Sequence, residues 1–192
     1  DLQCYGNQMQ SLEVSGLANL HSLEAGSNQL TNITLTGLNN LAYLYLYGNQ
    51  LTSVSLSGLN QMEQLNFDNN PLESLDLRTL ANLRWLYCWN NELSEILVDE
   101  SNKLYYANLQ YNRLPFSQLY NFKQVCDNFE FLNQKLIFEE KALDFGEIID
   151  YSSEAVFDGT VTTFSWYKNN VLIPNASGAT HTPTDEAYYY AM

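Results

Sequence analysis

The chain has 192 residues, 45% of them hydrophobic, enough for one or two domains with real cores. Its 22 acidic residues against 8 basic ones give a formal charge of −14 without any basic cluster. Nucleic acid and anionic membrane are therefore poor partners, and no stretch reaches the roughly 20 apolar residues of a membrane span.

The chain is repetitive from its start. Segments of 21 residues begin at Leu2, Leu23, Leu44, Leu65, Leu86 and Ala107, with no insertion between them. Asparagine holds the sixth position of all of them: Asn7, Asn28, Asn49, Asn70, Asn91 and Asn112. The eighth is apolar: Met9, Leu30, Leu51, Leu72, Leu93 and Leu114. The pattern L-x-x-L-x-L-x-x-N-x-L is legible in "LHSLEAGSNQL" and marks a leucine-rich repeat. Such a unit cannot bury its apolar side alone, so successive turns stack and their short strands form one parallel sheet. Positions 1, 3, 8, 11, 13, 16 and 19 are expected to point inward. The asparagine is expected to turn the chain out of the strand, its amide satisfying backbone groups left unpaired by the turn.

Side chains alternate along a strand, so the residue before position 1 and positions 2 and 4 face the concave, solvent side. The first two rows are sparse: Gln3 and Tyr5, then Ser22, Glu24 and Gly26. The third is Tyr43, Tyr45 and Tyr47, and the fourth Gln64, Asn66 and Asp68. The fifth is Trp85, Tyr87 and Trp89, and the sixth Tyr106, Asn108 and Gln110. Two aromatic rows thus flank a polar one. Aromatics favour strands for packing reasons alone. Tyr and Trp are also the residues most enriched at interaction hot spots, and a contiguous aromatic patch on a solvent face usually marks a binding surface. The expected binding face comprises Tyr43, Tyr45, Tyr47, Asn66, Asp68, Trp85, Tyr87, Trp89 and Tyr106.

Cys4 and Cys88 share inward position 3 and are expected to lie four strands, or roughly 19 Å, apart, too far to pair. Both read as small core residues; the pattern does not place Cys126. His21, at position 20 of a repeat, reads as a surface residue. The fifth copy departs from the pattern, with Ser101 in place of the leucine of position 16, and the sixth starts with Ala107. In "PFSQLYNFKQVC", Phe116, Leu119, Phe122 and Val125 recur at helical spacing, and Pro115 suits a helix start. This segment is expected to cap the open end of the solenoid, with 129–141 as an extended connector. Three divisions follow: repeats over 1–115, cap and connector over 116–141, and a different module over 142–192.

That last module resembles an immunoglobulin-like domain. Trp166 in "TTFSWYKNNVLI" falls where the buried tryptophan of strand C would be, and Asp185, Ala187 and Tyr189 match the D-x-[GA]-x-Y segment. Ala191 occupies the place of the second cysteine, so a disulfide-free all-β sandwich is expected, incomplete at its C-terminal end. The repeats, through "GNQLTSVSLSGLNQ" and its copies, resemble the bacterial internalin-type proteins, most of all their 21-residue internalin J-like subtype. The resemblance covers residues 1 to about 125. It implies an α/β-class right-handed superhelix with a parallel sheet on its concave face. The N-terminal cap usual in that group is missing here, which suggests a trimmed chain.

The resemblance further implies a secreted or cell-surface recognition or adhesion protein, with a host or neighbouring-cell surface protein as partner. A glycan is the alternative ligand, as in a carbohydrate-binding module of a polysaccharide-processing system, and a structural spacer is a third reading. No H-x-x-x-H, C-x-x-C, G-x-S-x-G or phosphate-loop motif is present. The expectation is a protein without catalysis, cofactor or metal.

Overall fold

Leucines alternating with polar or aromatic residues give each repeat a strand only two or three residues long before the chain turns. In the computed structural model these strands stack in register. The residues it describes are 1–131, 134, 148–150, 156–157, 160–161, 166–168, 171–184 and 189–191. The chain divides into two compact units, residues 1–136 and 137–192.

In the first unit the strands are β1 (Leu2–Gln3), β2 (Ser22–Glu24), β3 (Tyr43–Tyr45), β4 (Gln64–Asn66), β5 (Ser74–Asp76), β6 (Trp85–Tyr87), β7 (Glu95–Leu97), β8 (Leu104–Asn108) and β9 (Cys126–Glu130). Seven form one sheet in the order β1-β2-β3-β4-β6-β8-β9, while β5 and β7 pair separately, also in parallel. The first-position residues pair turn on turn: Leu2 with Leu23, Leu44, Leu65, Leu86 and Ala107 in succession. From Leu23 onward all of them are fully buried. The single α-helix among the described residues is α1 (Phe116–Lys123), and none is long and apolar enough to cross a membrane.

The asparagines form the ladder that the repeat implies. Asn49 Nδ2 donates to Ala25 O and Leu46 O, both at 3.0 Å, while its Oδ1 accepts the Leu30 N–H. Asn70 repeats this one turn on, with Leu46 O, Phe67 O and the Leu51 N–H. Asn28, Asn91 and Asn112 do the same in their own turns. Each amide thus joins two consecutive turns through backbone groups that are buried or part-buried and would lack a partner without the ladder. The preceding position is left-handed in every repeat: Gly6, Ser27, Gly48, Asn69, Asn90 and Tyr111 have φ between 52° and 69°. Glycine and asparagine tolerate this conformation, whereas Ser27 and Tyr111 adopt it at some cost.

Two features depart from the expected pattern. Where the fifth repeat loses its leucine at Ser101, Asn102 is buried instead. Its Nδ2 donates to Leu77 O and Leu80 O, and its Oδ1 accepts the Asp99 N–H. A polar clamp thus replaces an apolar contact. The array also continues one turn further than six. Strand β9 pairs with β8, Ala107 opposite Phe129 and Asn108 opposite Glu130, a step of 22 residues that accommodates α1. Phe129 and Glu130, expected at the start of the connector, therefore belong to the sheet. Gln134 completes the turn, its Nε2 donating to Leu109 O and Phe131 O and its Oε1 accepting the Leu114 N–H. It does what the asparagine does elsewhere. The rest of the expected connector, residues 132–133 and 135–141, lies outside the described residues.

Helix α1 follows Pro115, whose extended backbone (φ −67°, ψ 163°) launches the first turn. Leu119 and Phe122 are buried, and Phe122 meets Phe129 edge-on at 5.9 Å. The helix ends before Val125, which sits in the turn leading to β9. Cys126 is buried in β9. Burial pushes the Cys88 thiol far up and that of Cys126 up to about 11, and raises Cys4 less strongly. A thiol reagent at neutral pH is therefore expected to label half-buried Cys4 first in the native protein. Cys88 should react at least about 100-fold more slowly, until denaturant is added; mass mapping of labelled peptides over time checks this.

In the second unit every described pairing is antiparallel. Strand β10 (Ile149–Asp150) pairs with β15 (Thr180–His181), and β11 (Val156–Phe157) with β12 (Thr160–Val161). Strand β13 (Trp166–Lys168) lies between β14 (Val171–Leu172) and β16 (Tyr189–Ala191). Trp166 thus opens a central strand, and Tyr189 opens its neighbour. Asp185 and Ala187 of the expected D-x-[GA]-x-Y segment lie outside the described residues.

Candidate functional site

The sheet face turned away from the leucine core carries every residue expected in the binding face. Register fixes three lines across the strands. Ser22, Tyr43, Gln64, Trp85, Tyr106 and Asn128 form one, and Glu24, Tyr45, Asn66, Tyr87, Asn108 and Glu130 the second. Backbone hydrogen bonds just past the strands extend the ladder: Ser27 N to Tyr47 O, Gly48 N to Asp68 O, Asn69 N to Trp89 O, and Asn90 N to Gln110 O. The third line is therefore Gly26, Tyr47, Asp68, Trp89 and Gln110. Tyr43, Tyr45, Tyr47, Asn66, Asp68, Trp85, Tyr87, Trp89 and Tyr106 come together on one surface.

These residues are half-buried, not fully exposed as the alternation suggests. Strands about 4.8 Å apart bring large side chains within van der Waals reach, so each ring shields the next. Tyr87 packs on Tyr106 at 5.6 Å, and Trp89 meets Tyr111 edge-on at 5.7 Å. Tyr43 meets His21 edge-on at 5.3 Å. The Tyr47 ring occupies the space left by Gly26, where an added Cβ would come within 2.5 Å of it. Glycine here makes room for an aromatic ring on the neighbouring strand.

Carboxylates hold two of the phenols. The Tyr43 hydroxyl donates to Glu63 Oε2 at 2.9 Å, and that of Tyr106 to Glu130 Oε1 at 3.0 Å. The Glu63 bond raises Tyr43; burial first, then Glu130, pushes Tyr106 up to about 12. Burial and the Glu24 charge raise Tyr45. These tyrosines therefore stay protonated at neutral pH; Tyr43 and Tyr106 commit their protons to Glu63 and Glu130 and offer a ligand their hydroxyl oxygens as acceptors. Asp68 Oδ1 accepts the Trp89 N–H at 2.7 Å, while Asn66 Oδ1 accepts the Asp68 N–H. Burial holds the Asp68 carboxyl above the ordinary carboxylate range, and the bond from Trp89 only partly opposes this.

Glu24, Asp68 and Glu130 are the charged residues in the three lines, which contain no lysine or arginine. Arg84, beside Trp85, directs its Nη1 to the carbonyls of Ala81, Leu83 and Lys103. Sequence reasoning placed Gly26 on this face without giving it a role, and did not assign Glu63, Tyr111 or Glu130 to it. Only Gly26 offered a signal, as a glycine in a row otherwise made of large or polar side chains.

The family model described as Leucine Rich Repeat matches residues 40–62. No curated protein matches the chain. Among solved structures, the functional domain of InlJ from Listeria monocytogenes, described as including a cysteine ladder, is similar at 17% identity with a TM-score of 0.48. That similarity covers 88% of this chain and 52% of that one, so the chain spans about half its length. The repeat match and the parallel strands stacked turn on turn make the first unit a leucine-rich repeat solenoid.

Proposed function

We propose that this solenoid is a non-catalytic recognition module that binds a protein ligand through the aromatic face of its sheet. Leucine-rich repeat folds are typically interaction scaffolds without catalysis, and stacked repeats offer extended binding surfaces. The observation that carries the reading is the pair of aromatic rows, Tyr43, Tyr45, Tyr47 and Trp85, Tyr87, Trp89, set in register on either side of Gln64, Asn66 and Asp68. Packing of Tyr43 on His21, Tyr47 over Gly26, Tyr87 on Tyr106 and Trp89 on Tyr111 holds these rings in place before a ligand arrives, so little side-chain entropy is lost on binding. Phenol hydroxyls add polar contacts to those of Gln64, Asn66 and Asp68 between the aromatic rows. The internalin J-like resemblance supports an extracellular setting, secreted or surface-attached, with a host or neighbouring-cell protein as partner. The second unit, read as an immunoglobulin-like spacer, would project the solenoid.

The test uses the full chain and a variant carrying Trp85→Ala, Tyr87→Ala and Trp89→Ala, with circular dichroism to show that the variant folds. Both are applied to an array of extracellular protein domains and to a glycan array. Binding to a protein is expected, with affinity falling at least about 100-fold in the variant. Undiminished protein binding by the folded variant sinks the reading. Glycan binding that depends on the three residues would move the assignment to carbohydrate recognition.

A further inference from the structure

The geometry points to the gap above Asp68 as the seat of a basic side chain, an arginine of the protein ligand, with Tyr47 and Trp89 as its walls. This rests on the recognition reading above and names the chemistry at its centre. Asp68 stands in line between the two rings. Tyr47 turns away from it over Gly26, and Trp89 turns away on the other side to pack on Tyr111. The shorter side chain is thus left as the floor of an open slot between two rings whose strands lie roughly 10 Å apart. A planar guanidinium suits such a slot, because it stacks on rings and pairs with a carboxylate through its edge.

The slot's own polarity agrees. Asp68 Oδ1 is engaged by the Trp89 N–H, while no hydrogen bond reaches Oδ2 among the described residues. The described ion pairs, Asp76 with Arg78 and Glu92 with Arg113, do not involve it. Glu24 and Glu130 lie on the adjacent line, and no basic residue stands on any of the three. Glu24 lies two strands and Glu130 three strands from the strand of Asp68, roughly 10 and 14 Å, so the face as a whole is negative and complementary to a cationic group. A metal ion fits poorly, since a hard cation takes six or more oxygens and Asp68 offers one carboxylate.

The charge at this position costs the fold something. A carboxyl whose folded pKa lies above its unfolded value favours the protonated folded state, so its contribution to stability falls as pH rises through that window. At neutral pH Asp68 is a liability that an asparagine would remove, while still accepting the Trp89 N–H through Oδ1.

The test pans a random nonapeptide display library on the immobilised full chain, on Asp68→Asn and on the Trp85→Ala/Tyr87→Ala/Trp89→Ala variant. The wild-type chain is expected to enrich peptides with arginine at one recurrent position. A synthetic peptide of that sequence should bind Asp68→Asn at least about 30-fold more weakly, while the thermal midpoint of Asp68→Asn equals or exceeds that of the wild type. Enriched peptides without a basic residue, or arginine peptides that bind Asp68→Asn undiminished, overturn the inference. If such peptides still depend on Trp85, Tyr87 and Trp89, the recognition reading survives and only the arginine seat fails. If wild type enriches nothing over the triple variant, both fail.

Discussion

Asn70→Ala is expected to destabilise the solenoid by about 3 kcal/mol or more, a loss far beyond that of an ordinary polar surface substitution. Asn70 is only 4% exposed and joins two turns of chain. Its Nδ2 serves Leu46 O at 2.9 Å and Phe67 O at 3.0 Å, and its Oδ1 accepts the Leu51 N–H at 3.1 Å. Alanine leaves the buried Leu51 N–H without a partner and takes one of two amide donors from each carbonyl, Leu46 O keeping Asn49 Nδ2 and Phe67 O keeping Asn91 Nδ2. The orphaned N–H costs about 1–3 kcal/mol, and each bond lost from a carbonyl adds about 0.5–1.5 kcal/mol. Asn7→Ala is the control, because Asn7 is exposed and its Nδ2 bonds only within its own turn, to Cys4 O and Tyr5 O. It should cost less than about 1 kcal/mol. Urea unfolding of both variants decides the matter: equal losses, or a loss below 1 kcal/mol at Asn70, would remove the ladder as a principal source of stability.

The ladder could be read from the sequence because its residue recurs at one spacing and has one chemical use. Inward and outward positions were equally legible, since alternation on a short strand leaves no freedom once the register is known. Thus the lines containing Tyr45, Asn66 and Tyr87 followed from counting. What escaped was encoded by substitution. Asn102 and Gln134 perform roles that other residue types perform elsewhere, and a pattern of identities does not show shared roles. The seventh turn escaped because its step is 22 residues instead of 21, so an alignment at fixed spacing ends at Ala107. The left-handed position was half visible in Gly6, Gly48, Asn69 and Asn90 but hidden by Ser27 and Tyr111. On the candidate surface, membership was legible and orientation was not. Which way Tyr47 and Trp89 turn depends on Gly26 and Tyr111, neighbours 21 or 22 residues away, and no local pattern reports that.

Phe122→Ala should cost as much at its own site as Asn70→Ala but be felt differently through the molecule. Truncating a fully buried phenylalanine removes about 3–5 kcal/mol of local packing. Phe122 lies between the last turns of the core and Phe129 of β9. In an array where each turn contacts only its neighbours, stability is a sum of unit and interface terms, so an end unit can melt while the middle holds. The apparent global loss is then capped by the stability of α1 and β9 themselves. Amide exchange should accelerate in residues 116–130 and remain slow in β2, β3 and β4. Cys126, buried in β9, should become reactive toward thiol reagents in the folded variant while Cys88, two strands inward, stays protected. Asn70→Ala, striking a central interface, should instead raise exchange on both of its sides. Uniform acceleration from β2 to β9 in Phe122→Ala would mean that the solenoid unfolds as a single cooperative block, and the helix would then be a member of the core instead of a separable cap.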